Sequence, residues 1–142
     1  MTDPTTTVLV IDDDASVRRA LDRLLRSAGY RVRTFATARD FLEHDPLEDV
    51  GCVVLDVRMP GQGGLDLYEM LAAAGHELSV VFITGHGDIP MAVKAIRAGA
   101  IDFLSKPLDA DALLDAVARG VARERQRRDL EAPRPPRRAA HS

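Results

Sequence analysis

The sequence predicts an α/β protein built on a doubly wound, five-stranded parallel sheet with helices on both faces. Three observations lead there. Strand-length apolar runs alternate with amphipathic stretches along the chain. The runs are apolar throughout rather than at every second residue, and Gly or Asp punctuates most changes of element. A strand covered on both faces has no polar side to show, so unbroken apolar runs fit a buried parallel sheet.

Residues 8–11 form the first such strand. Val17, Ala20, Leu21, Leu24, Leu25 and Ala28 then fall on one helical stripe, with Asp14 placed to cap that helix and Gly29 to stop it. Residues 31–35 read as a short second strand, followed by a weak helix around 38–44. Residues 52–55 are a third buried strand, and 65–74 a helix ended by Gly75. The fourth strand is 80–83; Asp88 can cap the next helix, with Pro90 in its first turn and Gly99 at its end. The fifth strand is 101–104, and Asp109 opens a last helix that runs to about Leu130. Leu114, Val117, Val121 and Leu130 suggest a dimer seam on that helix, interrupted at Arg125.

A chain of 142 residues fits one domain. We expect a flexible start at 1–6, a folded domain over 7–126, and a Pro- and Arg-rich tail over 127–142 that is disordered or begins a linker. The apolar runs are far too short to span a bilayer, the start lacks a signal peptide's pattern, and the single Cys52 excludes an intramolecular disulfide, so a cytoplasmic location is expected. The net charge of −3 is uneven, because eight Arg between Arg119 and Ser142 oppose only Glu124, Asp129 and Glu131. The acidic remainder makes the folded part a poor nucleic-acid binder.

Sites in open α/β sheets form beyond the carboxyl ends of the strands. Asp12, Asp13 and Asp14 follow the first strand, Asp56 the third, Thr84 and Gly85 the fourth, and Lys106 and Pro107 the fifth. Acids, a hydroxyl and an ammonium thus share one edge. Asp12, Asp13 and Asp56 crowded together repel one another unless a cation intervenes. A set of hard oxygen donors without Cys or His favours Mg²⁺, which prefers one or two carboxylates, water and phosphate oxygens. A carboxylate there can act as nucleophile toward phosphorus, with Lys106 and Thr84 placing charge around the transferred group.

At these positions the sequence resembles the response-regulator receiver domains. The matching segments are Val8-Leu-Val-Ile-Asp-Asp-Asp, Leu55-Asp-Val-Arg-Met-Pro with Gly64-Leu65, Ile83-Thr-Gly-His-Gly-Asp, and Phe103-Leu-Ser-Lys-Pro. The stretch after Thr84 looks like receivers of the nitrogen-fixation and dicarboxylate-transport regulators. The resemblance implies a flavodoxin-like sheet in the order 2-1-3-4-5, and it assigns roles residue by residue. Asp56 matches the phosphoacceptor, Asp13 the direct metal ligand, and Asp12 the partner acid that reaches the metal through water. The Arg58 backbone carbonyl is a further ligand. Thr84 and Lys106 match the phosphoryl-sensing hydroxyl and the phosphate-pairing lysine, and Phe103 the switch aromatic. The Lys106–Pro107 bond is expected to be cis. Arg58 and His86 stand where they could tune phosphoryl lifetime. Gly63 departs from the family, which more often has Asp, Asn or Ser there.

The resemblance also implies a sensor histidine kinase as partner, switching of a face made by the fourth helix, fifth strand and fifth helix, and possible homodimerisation through that face. It implies no enzyme activity beyond the domain's own phosphorylation and dephosphorylation. Three rivals stand against it. A haloacid-dehalogenase-type phosphatase would use Asp12 as nucleophile, but position 16 is Ser and no acidic pair follows the fourth strand. A pseudo-receiver would lack the acceptor, an acidic partner or the lysine, and all are present. A flavodoxin-like electron carrier needs a phosphate-cradling loop where this chain has acids.

Overall fold

A computed structural model describes residues 6–43, 50–59, 61, 63–85 and 89–131. Strands β1 (Thr7–Ile11), β2 (Arg31–Phe35), β3 (Val50–Asp56), β4 (Val80–Thr84) and β5 (Asp102–Ser105) alternate with helices α1 (Ala15–Ser27), α2 (Ala38–Leu42), α3 (Gly64–Ala73), α4 (Ile89–Arg97) and α5 (Ala110–Glu131). Every neighbouring pair is parallel, in the order β2-β1-β3-β4-β5, as expected. Successive strand residues point to opposite faces, and both faces are apolar. Leu9, Leu55 and Phe82 join a core with Phe41, Leu67 and Ala95. Val10, Val54 and Ile83 join a second core with Leu25, Leu113 and Val117. Two-sided burial is the reason the strands read as unbroken apolar runs.

The boundaries shift where packing overrides composition. β3 begins at Val50, before the expected start, because Gly51 lies inside the strand rather than at its edge. A Cβ at Gly51 would stand 2.7 Å from Thr6 Cγ2 and 3.0 Å from a Val121 methyl, so the close approach of α5 requires glycine there. β5 starts and ends one residue later than expected, at Asp102 and Ser105. The caps of α1 and α5 follow the sequence: Asp14 Oδ1 accepts from the Ser16 N–H at 2.8 Å, and Asp109 Oδ1 accepts from the Asp111 N–H at 2.9 Å. Gly63, at the start of α3, offers no side-chain cap. Asp88, His86, His44 and the residues after Glu131 lie outside the described residues, as do residues 1–5.

α5 passes through the expected boundary at 126/127 without a break and continues to Glu131. Its arginines close carbonyls at the base of the sheet. Arg123 donates to Ser79 Oγ at 3.2 Å and to the Gly99 carbonyl at 2.9 Å. Arg127 donates to the Glu77 carbonyl, and Arg128 to the Val50 carbonyl at 3.0 Å. The expected dimer seam on α5 is corrected here. Val117 and Val121 are buried in this chain's own core and Leu114 packs against it, which withdraws them from any second helix, while Leu130 stays exposed. At the other end of the sheet, the edge strand β2 has its Val32 carbonyl covered by the Arg26 guanidinium at 3.1 Å. Residue 6 is not loose either: Thr6 is buried and its carbonyl accepts from the Arg31 N–H at 3.0 Å.

Candidate functional site

The chain leaves β1 for one side of the sheet and returns to the other through β3, so a crevice opens where those strands end. Ile11 is in register with Leu55, and Asp56 with Ile83, which sets Asp12 beside Asp56 and Thr84 one residue beyond Ile83. Carboxylate oxygens of Asp12, Asp13 and Asp56 lie within 4.8 Å of one another. Asp12 and Asp56 are buried and Asp13 is exposed. Lys106 extends from the end of β5 to place Nζ 3.0 Å from Asp12 Oδ2 and 3.6 Å from Asp56 Oδ2.

Each group is fixed by its neighbours. The Lys106 N–H donates to the Thr84 carbonyl at 2.7 Å, tying the lysine's backbone to the end of β4. Asp12 Oδ1 accepts from the Asp14 N–H at 2.8 Å, and Asp56 Oδ1 from the Arg58 N–H at 3.1 Å. Asp12 Oδ2 is buried, and among the described residues it meets the Lys106 ammonium at 3.0 Å. Burial pushes the Asp56 carboxyl up to about 6, with Asp12 and Asp13 adding to the rise while the Arg58 N–H and Lys106 oppose it. For Lys106, burial disfavours the charge, but contact with Asp12 and the field of Asp56 outweigh it and the net shift is upward. The site therefore holds more negative charge than its one ammonium balances.

Of the expected residues, Asp12, Asp13, Asp56 and Lys106 come together. Thr84 is fully buried at the end of β4. Phe103 is half-buried on β5, its ring centroid 6.3 Å from that of Phe82, which in turn meets Tyr68 edge-on at 5.5 Å. Arg58 is exposed beside Asp56, and the Lys106–Pro107 bond is cis.

Two residues were not singled out for this site from the sequence. Gly64 packs directly beneath Asp56: a Cβ there would fall 2.1 Å from the Asp56 carbonyl oxygen. The motif that includes Gly64 signalled its presence but not this contact. Arg18 Nη1 donates to the Asp12 carbonyl at 2.7 Å. Nothing in the local pattern marks that bond, since an arginine early in an amphipathic helix reads as solvated.

Comparison with known proteins follows the same outline. The sequence profile of a family described as "Response regulator receiver domain" matches residues 8–118. Nodulation protein W of Bradyrhizobium diazoefficiens is 48% identical over 124 residues, covering 87% of this chain and 55% of that protein. Response regulator protein TmoT of Ectopseudomonas mendocina is 49% identical over 117 residues, covering 82% and 53%. The chain thus spans about half the length of these relatives. Among solved structures, the response regulator StyR superposes with a TM-score of 0.80 at 53% identity, covering 89% of this chain and 65% of that one. FixJ-N gives 0.77 at 36% identity, covering 86% and 96%. Among the described residues no helix is long and apolar enough to cross a membrane.

Proposed function

The chain belongs to the response-regulator receiver domains of two-component signalling, and from that premise we propose that it is a switch driven by phosphorylation of Asp56. The observation that carries the proposal is the gathering of Asp12, Asp13 and Asp56 at one sheet edge with Lys106 reaching between two of them.

The donor is the phosphohistidine of a sensor histidine kinase. The Asp56 carboxylate attacks phosphorus as the bond to the imidazole breaks, and the acyl phosphate remains on Asp56. Mg²⁺ fits the residues present, because all donors are hard oxygens and three carboxylates stand within 4.8 Å of one another with a single lysine reaching between two of them. Asp13, Asp56 and the Arg58 backbone carbonyl would hold it, with Asp12 acting through water. When bound, the ion neutralises the crowded acids and the oxygens of the incoming phosphoryl group. The Arg58 N–H orients Asp56 by binding Oδ1. Lys106 stands ready to exchange its carboxylate partners for phosphoryl oxygens, which are stronger charge-assisted acceptors.

The phosphoryl group then draws Thr84 and Lys106 inward, biasing a pre-existing equilibrium. Space left by Thr84 admits Phe103, and the face of α4, β5 and α5 changes. That face exposes Ile89, Val93 and Ile96, an apolar strip suited to a partner or a second copy. Relatives carry names such as "Transcriptional regulatory protein TdiR" and extend well beyond the matched region. We therefore assign a transcriptional output if this chain is part of a longer regulator. The domain's only chemistry is its own phosphorylation and dephosphorylation, and its setting is the cytoplasm.

Incubation with acetyl phosphate and Mg²⁺ tests the assignment. Acid-labile phosphate should appear on the wild-type chain and map to the Asp56 peptide, with none on Asp56→Asn. Label on Asp12 would instead favour a phosphatase-type nucleophile.

A further inference from the structure

We infer that Arg18 is a positioning residue for divalent-ion binding, acting by clamping the carbonyl of Asp12; the inference rests on the magnesium reading above. Helical side chains lean toward the helix N-terminus. On α1 that lean carries the Arg18 guanidinium back six residues to the Asp12 carbonyl, at 2.7 Å and half-buried.

The loop between β1 and α1 is held at several points. The Asp12 N–H donates to the Phe35 carbonyl at 3.1 Å, the Asp14 N–H to Asp12 Oδ1 at 2.8 Å, and the Arg18 N–H to the Asp14 carbonyl at 3.0 Å. The Asp12 carbonyl and the Asp13 N–H belong to one planar peptide unit. Fixing the direction of that carbonyl fixes the plane from which Asp13 projects. Asp13 needs this more than its neighbours do. Its side chain is exposed, and among the described residues its carboxylate has no hydrogen bond or ion pair of its own. Only the backbone aims it.

Arg18 has two opposed effects on a bound cation. Its positive charge repels the ion, whereas its hydrogen bond keeps a ligand in place. Loss of groups that orient metal ligands commonly weakens binding by roughly 10- to 100-fold, so the clamp outweighs the repulsion. The sign of the change on removing Arg18 separates the two.

The test is calorimetric titration of the full chain with Mg²⁺, alongside thermal melts in EDTA. Arg18→Met keeps the length and apolar stem but has neither charge nor donor; Arg18→Lys keeps both the charge and a donor. Mg²⁺ affinity should fall by roughly 10-fold in Arg18→Met and return to within roughly threefold of wild type in Arg18→Lys. Unchanged or tighter binding in Arg18→Met, whatever its melting temperature, overturns the inference by showing a structural or purely electrostatic role. Should Arg18→Met not fold, Arg18→Gln is read by the same criterion. A wild-type chain that takes up no Mg²⁺ would overturn both this inference and the magnesium reading. Normal wild-type uptake with an unaffected variant would overturn this one alone.

Discussion

Replacing Asp56 with Asn should make the metal-free protein more stable at neutral pH, at the expense of its chemistry. Asp56 is only 4% exposed, and its carboxyl is pushed up to about 6 from the ordinary 3.8, by burial first and then by Asp12 and Asp13. Between those two values the folded state binds the proton that the unfolded state has released. Stability therefore falls as pH rises through that window and levels off above it. At about 1.36 kcal/mol per unit of pKa difference, the folded protein at pH 7.5 carries a handicap of up to about 3 kcal/mol that disappears only below about pH 3. Asn has no charge to bury, and its Oδ1 can still accept from the Arg58 N–H. Urea melts followed by circular dichroism, in EDTA from pH 4.5 to 8, should show Asp56→Asn more stable by about 2–3 kcal/mol at pH 7.5, with the difference shrinking to about 1 kcal/mol at pH 4.5. For a chain of this size that corresponds to roughly 5–10 °C in melting temperature. Mg²⁺ should narrow the gap, because it binds and stabilises the folded wild type. A variant no more stable than wild type at pH 7.5, or a difference independent of pH, would refute the electrostatic argument.

Three further outcomes follow from close packing and burial. Gly120→Ala would ordinarily stabilise a helix by about 1 kcal/mol. Here the new Cβ would lie 2.8 Å from Cys52 Sγ, so a loss of about 1–3 kcal/mol is expected. Much of it should be recovered in combination with Cys52→Ala; additive losses in a double-mutant cycle would count against the clash. Gly64→Ala should cost about 3 kcal/mol or more, because its Cβ meets the Asp56 backbone at 2.1 Å and a strand cannot step aside; a melting curve like that of wild type would contradict this. The Cys52 thiol is fully buried and pushed up to about 12. A disulfide reagent at pH 8 should label it only at the rate of unfolding, and prompt labelling of the native chain would show the contrary.

The fold was legible because a doubly covered sheet writes its strands as unbroken apolar runs, as in residues 52–55 and 80–83. The acids of the candidate site were legible because strand order places strand-end residues on one edge. What stayed hidden were contacts with backbone. Gly51 reads as lying outside the third strand because nothing local shows that Val121 presses on it. Arg123, Arg127 and Arg128 looked like a solvated basic run because their acceptors are carbonyls at Gly99, Glu77 and Val50, tens of residues away. Arg18 escaped notice for the same reason, since a bond to a main-chain oxygen leaves no complementary residue type to find.

That basic run decides where the domain can safely be cut. Trimming the chain at residue 126, where the composition invites it, would strip Arg127 and Arg128 from the oxygens they satisfy at Glu77 and Val50. Water would have to take their place at the foot of the central strands. A fragment retaining all of α5 through Glu131 keeps that floor sealed.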